Sequence, residues 1–90
     1  MKLSEEDRRQ IIEAAKALGI RSVYVFGSVL NDQAEPNDID VAVKGVPPGV
    51  FFRFCGILLR RLSKPVDVVD LDDSNPVTNL IAKEAQRIYG

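Results

Sequence analysis

The chain has 90 residues, 46% of them hydrophobic and 28% charged, with a formal net charge of −1. That length leaves room for one core and hence one small domain over residues 1–90, and the composition excludes wholesale disorder. The near-neutral balance excludes a general nucleic-acid surface. One cysteine and no histidine exclude an internal disulfide, a Cys/His metal cluster and histidine acid–base catalysis. No apolar run offers a membrane span or a secretion signal, so a reducing cytoplasm is the expected setting.

Ser4, followed by Glu5, Glu6 and Asp7, predicts a helix start: a hydroxyl cap and an acidic first turn. Ile11, Ile12, Ala14, Ala15 and Leu18 give the helix an apolar face, and Gly19 closes it. A first strand is expected over residues 22–27 and a second over 38–44, with a Pro/Gly turn at 45–49. Between Val50 and Leu62 the residues Phe51, Phe52, Phe54, Cys55, Ile57, Leu58 and Leu59 nearly encircle a helix, with Arg53, Arg60 and Arg61 as its polar positions. So small a domain has difficulty burying such a helix, and part of it is expected to meet another chain, a second copy or a different protein. Pro65 introduces a third strand, Val66–Leu71. Asn75 or Ser74 then caps a last helix that opens near Pro76 and runs to about Ile88. The resulting class is α/β (α+β): a three-stranded mixed sheet with helices packed mainly on one face and the other face open.

That open face is where the chemistry is expected. Asp38 and Asp40, one residue apart at the start of the second strand, point to the same side of the sheet. Two neighbouring carboxylates repel and call for a cation; an all-oxygen donor set selects Mg²⁺ or Mn²⁺, which commonly combines carboxylates with substrate phosphates. Gly27 and Ser28, where the first strand ends, suit a phosphate: glycine permits close approach of the backbone, and the free N–H groups of the following turn attract anions. Asp67 and Asp70 lie three apart on the third strand and face opposite sides, so only one of them can join the pair. Asp72 and Asp73 read as turn and capping residues. Lys44 and Arg53 read as solvated charges, Cys55 as core, and Tyr24 and Tyr89 carry no assigned role.

An apolar strand, Gly27-Ser28, a loop, Asp38-Ile39-Asp40 and the later run Pro65-Val66-Asp67-Val68-Val69 resemble the minimal nucleotidyltransferases, small relatives of DNA polymerase β. The resemblance covers nearly the whole chain and selects Asp67 as the third carboxylate. It implies transfer of a nucleoside monophosphate from a triphosphate, with ATP the expected donor, to a hydroxyl on a protein or small molecule. Asp38, Asp40 and Asp67 would hold two Mg²⁺ ions and carry the catalysis; Gly27 and Ser28 would bind the phosphates. It also implies a small helical partner of the HEPN type and a role as antitoxin of a toxin–antitoxin pair. Where many members have a basic residue and a glycine after Gly-Ser, this chain has Val29, Leu30, Asn31 and Asp32. The alternative is therefore a degenerate domain kept for protein binding.

Overall fold

The computed structural model describes residues Met1–Gly90. The elements are α1 (Glu5–Leu18), β1 (Ser22–Phe26), a 3-10 turn (Gly27–Leu30), β2 (Ile39–Lys44), α2 (Phe51–Arg61), β3 (Val66–Asp70), α3 (Pro76–Glu84) and β4 (Gln86–Tyr89). Helix α1 starts where Ser4 Oγ accepts the Asp7 N–H at 3.1 Å, and it stops at Gly19, whose φ of 72° suits glycine. Of the two candidate caps before α3, Asn75 takes the position. Its side chain accepts the N–H groups of Val77 and Thr78, while Thr78 Oγ1 accepts the Asn75 N–H at 3.0 Å.

The strands form one mixed sheet in the order β3-β2-β1-β4, with β1 antiparallel to both neighbours and β2 parallel to β3 through the α2 crossover. Alternation along β1 and β2 sends Val23, Val25, Ile39, Val41 and Val43 to one side, where all are essentially fully buried. Ile11, Ala14 and Ala15 of α1, with Phe54 and Leu58 of α2, complete that core. Helices α1 and α2 thus cover one face and leave the other open.

The structure corrects two expectations. The sheet has four strands, not three, because the last helix ends at Glu84 rather than near Ile88 and the chain continues as β4. Without β4, β1 would present an unpaired row of N–H and C=O groups beside the core; residues 86–89 satisfy that edge, and Ile88 enters the core at 9% exposure. The second strand begins at Ile39, one residue late, which places Asp38 in the bend before it. Helix α2 is buried in part, as its apolar ring in so small a domain implied: Phe54 and Leu58 are buried, whereas Phe52 and Leu59 are 84% and 64% exposed.

Asp7, read from sequence as one of three first-turn acids, is 4% exposed. Its carboxylate accepts the Ser63 N–H at 3.0 Å and the Ser63 hydroxyl at 2.5 Å, fastening the start of α1 to the α2–β3 connection.

Candidate active site

The open face is laid out by register. Phe26 of β1 stands opposite Asp40 of β2, and Asp40 stands beside Asp67 of β3. The row below runs Arg87, Tyr24, Ala42, Val69 across all four strands, and the next pairs Ser22 with Lys44. Asp67 therefore shares the open face with Asp40. Asp70 falls in register with Val43 on the helix-covered side, where its Oδ1 accepts the Asp72 N–H at 2.9 Å. Asp72 in turn accepts the Gly45 N–H at 2.8 Å, a turn role.

Asp40 is half-buried, and burial pushes its carboxyl above its ordinary value; the negative charges of Asp67 and then Asp38 push it the same way. Asp38 is exposed and close enough to act electrostatically. No three acidic side chains stand together at ion-binding spacing, however. The sheet brings Asp40 and Asp67 side by side; Asp38, in the bend before β2, does not complete a compact triad with them.

Gly27 follows β1 with φ of 74°, a conformation that favours glycine. A methyl group there would overlap the Asp40 carboxylate. Glycine is thus required twice, for the backbone turn and for the space that the acid occupies. Ser28 is exposed in the short turn that follows, whereas Val29 is fully buried in the core. The position after Gly-Ser is therefore a packing anchor. Farther along the loop, Asp32 is paired with the N-terminal ammonium of Met1, which holds its carboxyl below the ordinary range.

Arg87 was missed by sequence reasoning. It reaches the open face only because β4 pairs with β1, and nothing local in a helix-like tail signals that pairing. Together with Lys44 it supplies the cations of this face.

A mixed sheet closed by helices on one side, with acids on two adjoining strands and a Gly-Ser turn at the exit of a third, defines a nucleotidyltransferase fold. The model of the family described as Polymerase beta, Nucleotidyltransferase matches residues 9–90, and the chain belongs to that family. Comparison with curated proteins gave no match. Among solved structures, the chain is similar to a toxin–antitoxin structure with AMP-PNP, at 23% identity and a TM-score of 0.75 over 92% of this chain and 73% of that one. It is similar to the toxin–antitoxin MntA-HepT, at 20% identity and a TM-score of 0.71 over 97% and 73%. It also resembles a structure of tri-AMPylated Shewanella oneidensis HEPN toxin in complex with MNT antitoxin, at 22% identity and a TM-score of 0.70 over 93% and 70%. At these identities the likeness is one of fold.

Proposed function

We propose that the chain transfers a nucleoside monophosphate, AMP from ATP in the first instance, to a hydroxyl on a small helical partner of the HEPN type, acting as the antitoxin of that pair. The observation that carries this reading is the juxtaposition of Asp40 and Asp67 on neighbouring strands, with the Gly27 backbone pressed against the Asp40 carboxylate. The neighbours with AMP-PNP and with an AMPylated HEPN toxin support the choice of donor and acceptor.

In the reaction the acceptor oxygen bonds to the α-phosphorus, the bridge to the β-phosphate breaks, pyrophosphate leaves, and the hydroxyl proton passes to solvent. The residues fit a hard divalent cation: the donors are all oxygen, and Asp40 is held against ionisation by burial and by its acidic neighbours, a penalty that a cation would relieve. Asp38, Asp40 and Asp67 would hold two Mg²⁺ ions, or Mn²⁺. Bound there, the ions would neutralise the leaving pyrophosphate and lower the pKa of the acceptor hydroxyl. Ser28 and the main chain around Gly27 would position the terminal phosphates, and positioning is what this class of transfer chiefly needs. Gly27, lacking a side chain, leaves room for the Asp40 carboxylate against its backbone. Lys44 and Arg87 would add positive charge along the same face.

The test is incubation of the chain with labelled ATP, Mg²⁺ or Mn²⁺ and a small helical protein of the HEPN type, comparing the parent with Asp38→Asn/Asp40→Asn. The double variant should lose label transfer by at least about 10³-fold, roughly 4 kcal/mol of transition-state stabilisation. Equal transfer by the two would remove the carboxylates from the mechanism.

A second reading rests on the buried Val29 and the acidic, tethered loop: a domain that binds its partner without turning over ATP. It predicts a complex with the helical protein, no label transfer, and no ATP binding at millimolar concentration by calorimetry.

A further inference from the structure

The outer side of α2 is only partly engaged by the chain: Phe52 meets Phe51 edge-on, with ring centroids 5.5 Å apart, and lines a groove with Val69, Asp70, Asp73 and Thr78. Phe52 and Leu59 are seven residues apart, two helical turns, and so project from one stripe; they are 84% and 64% exposed. Gly56 lies on the same stripe, four residues after one and three before the other. A glycine inside a helix is unfavourable relative to alanine. Here neither backbone nor packing asks for it: its φ is not positive, and a methyl group at that position would meet no atom of the protein. The stripe is large, small, large, which is the relief that lets a second helix cross closely at the small residue.

Charge defines what would cross there. Helix α2 carries Arg53, Arg60 and Arg61 and no acid. Arg53 and Arg60, also seven apart, line one flank of the stripe, both exposed. A second copy of α2 laid antiparallel would bring like charges together along that flank. A helix with acids along one edge would pair with them instead.

We infer that the Phe52–Gly56–Leu59 face of α2 docks a helix of a partner protein, apolar along its centre and lined with Asp or Glu along one edge, with Gly56 at the point of closest approach. The inference rests on the proposed helical partner and adds where it binds. Helix α2 turns Phe54 and Leu58 into the core on the covered side of the sheet, so docking on its outer stripe and nucleotidyl transfer respond to different residues.

The experiment measures complex formation between the full chain and a small helical protein of the HEPN type by size exclusion with light scattering and by calorimetry, alongside the melting of the free chain. Gly56→Leu and Phe52→Asp should weaken the complex at least 100-fold while the free chain keeps its circular dichroism. Gly56→Ala should act in opposite directions, raising the melting temperature of the free chain by about 4 °C and weakening the complex about tenfold. Asp38→Asn/Asp40→Asn should leave the complex intact. Binding unaffected by Gly56→Leu and Phe52→Asp overturns the inference, and label transfer by the parent would then leave the proposed reaction standing. A complex that depends on α2 without label transfer upholds the docking face and removes the reaction. No complex with the parent chain, or a self-dimer dispersed by Phe52→Asp, overturns the acidic-helix assignment.

Discussion

The two faces of the sheet are built from the same strands and obey different rules. On the covered face, Val23, Val25, Ile39, Val41 and Val43 are sealed by α1 and α2, and apolar volume decides which residue fits. One residue along each strand, the open face holds Tyr24, Asp40, Lys44 and, from β3, Asp67. There a charge escapes full desolvation and can be spent on a ligand. The period of two in a strand thus places stability and chemistry on opposite sides of one peptide ribbon. Residues of the two sets should be separable by mutation.

The largest expected stability effect sharpens that separation. Phe54 is wholly buried beneath the sheet, so Phe54→Ala should lower unfolding free energy by about 3–5 kcal/mol in urea titration. Nucleotide affinity of the fraction that remains folded should be unchanged; a matching loss of affinity would show the faces to be coupled. Gly27→Ala is the variant best placed to cross the divide, because Gly27 belongs to the backbone of β1's exit and to the surroundings of Asp40. The left-handed conformation alone costs an alanine roughly 1–2 kcal/mol. The added methyl must also displace the Asp40 carboxylate. Both stability and transfer should fall, whereas normal transfer at reduced stability would mean that Asp40 tolerates displacement.

The smallest effect is on Asp40 alone. Its folded pKa lies above its ordinary value, so the folded chain holds that proton more tightly than the unfolded one, and ionising Asp40 works against folding. Asp40→Asn should therefore melt at or slightly above the parent at neutral pH without metal. The difference should fade as pH falls through the raised pKa and vanish below the ordinary carboxylate value of about 3.9. Melting curves of parent and variant across that window check it. A parent more stable than Asp40→Asn at pH 7 would make Asp40 a structural residue.

Much of this division was legible in the chain. Ser4 and Gly19 bound α1, and alternation through Val23-Tyr24-Val25 and Ile39-Asp40-Val41 assigned faces before any register was known. Alternation also placed Asp67 and Asp70 on opposite sides; the parallel pairing of β2 with β3 then put Asp67 beside Asp40. What escaped depends on contacts distant in sequence. The segment 86–89 becomes a strand because β1 has an edge to fill, and Arg87 reaches the open face as a result. Asp7 looks like any first-turn acid until Ser63 arrives from the far side of the fold. The spacing of Asp38 and Asp40 suggested a same-face pair, whereas Asp38 stops one residue short of the strand that would fix its direction.

The placement of α2 beneath the sheet bears on how many subunits an active assembly needs. At its Phe52 end the Phe52–Gly56–Leu59 stripe reaches the outer edge of β3, where Phe52 lines a groove with Val69, Asp70, Asp73 and Thr78. In the proposed reaction the acceptor hydroxyl would come from a part of the partner that rounds that edge toward Asp67, or from another partner molecule held by the same complex. In the second arrangement, modification would stall in a one-to-one mixture and proceed when the helical protein is in excess.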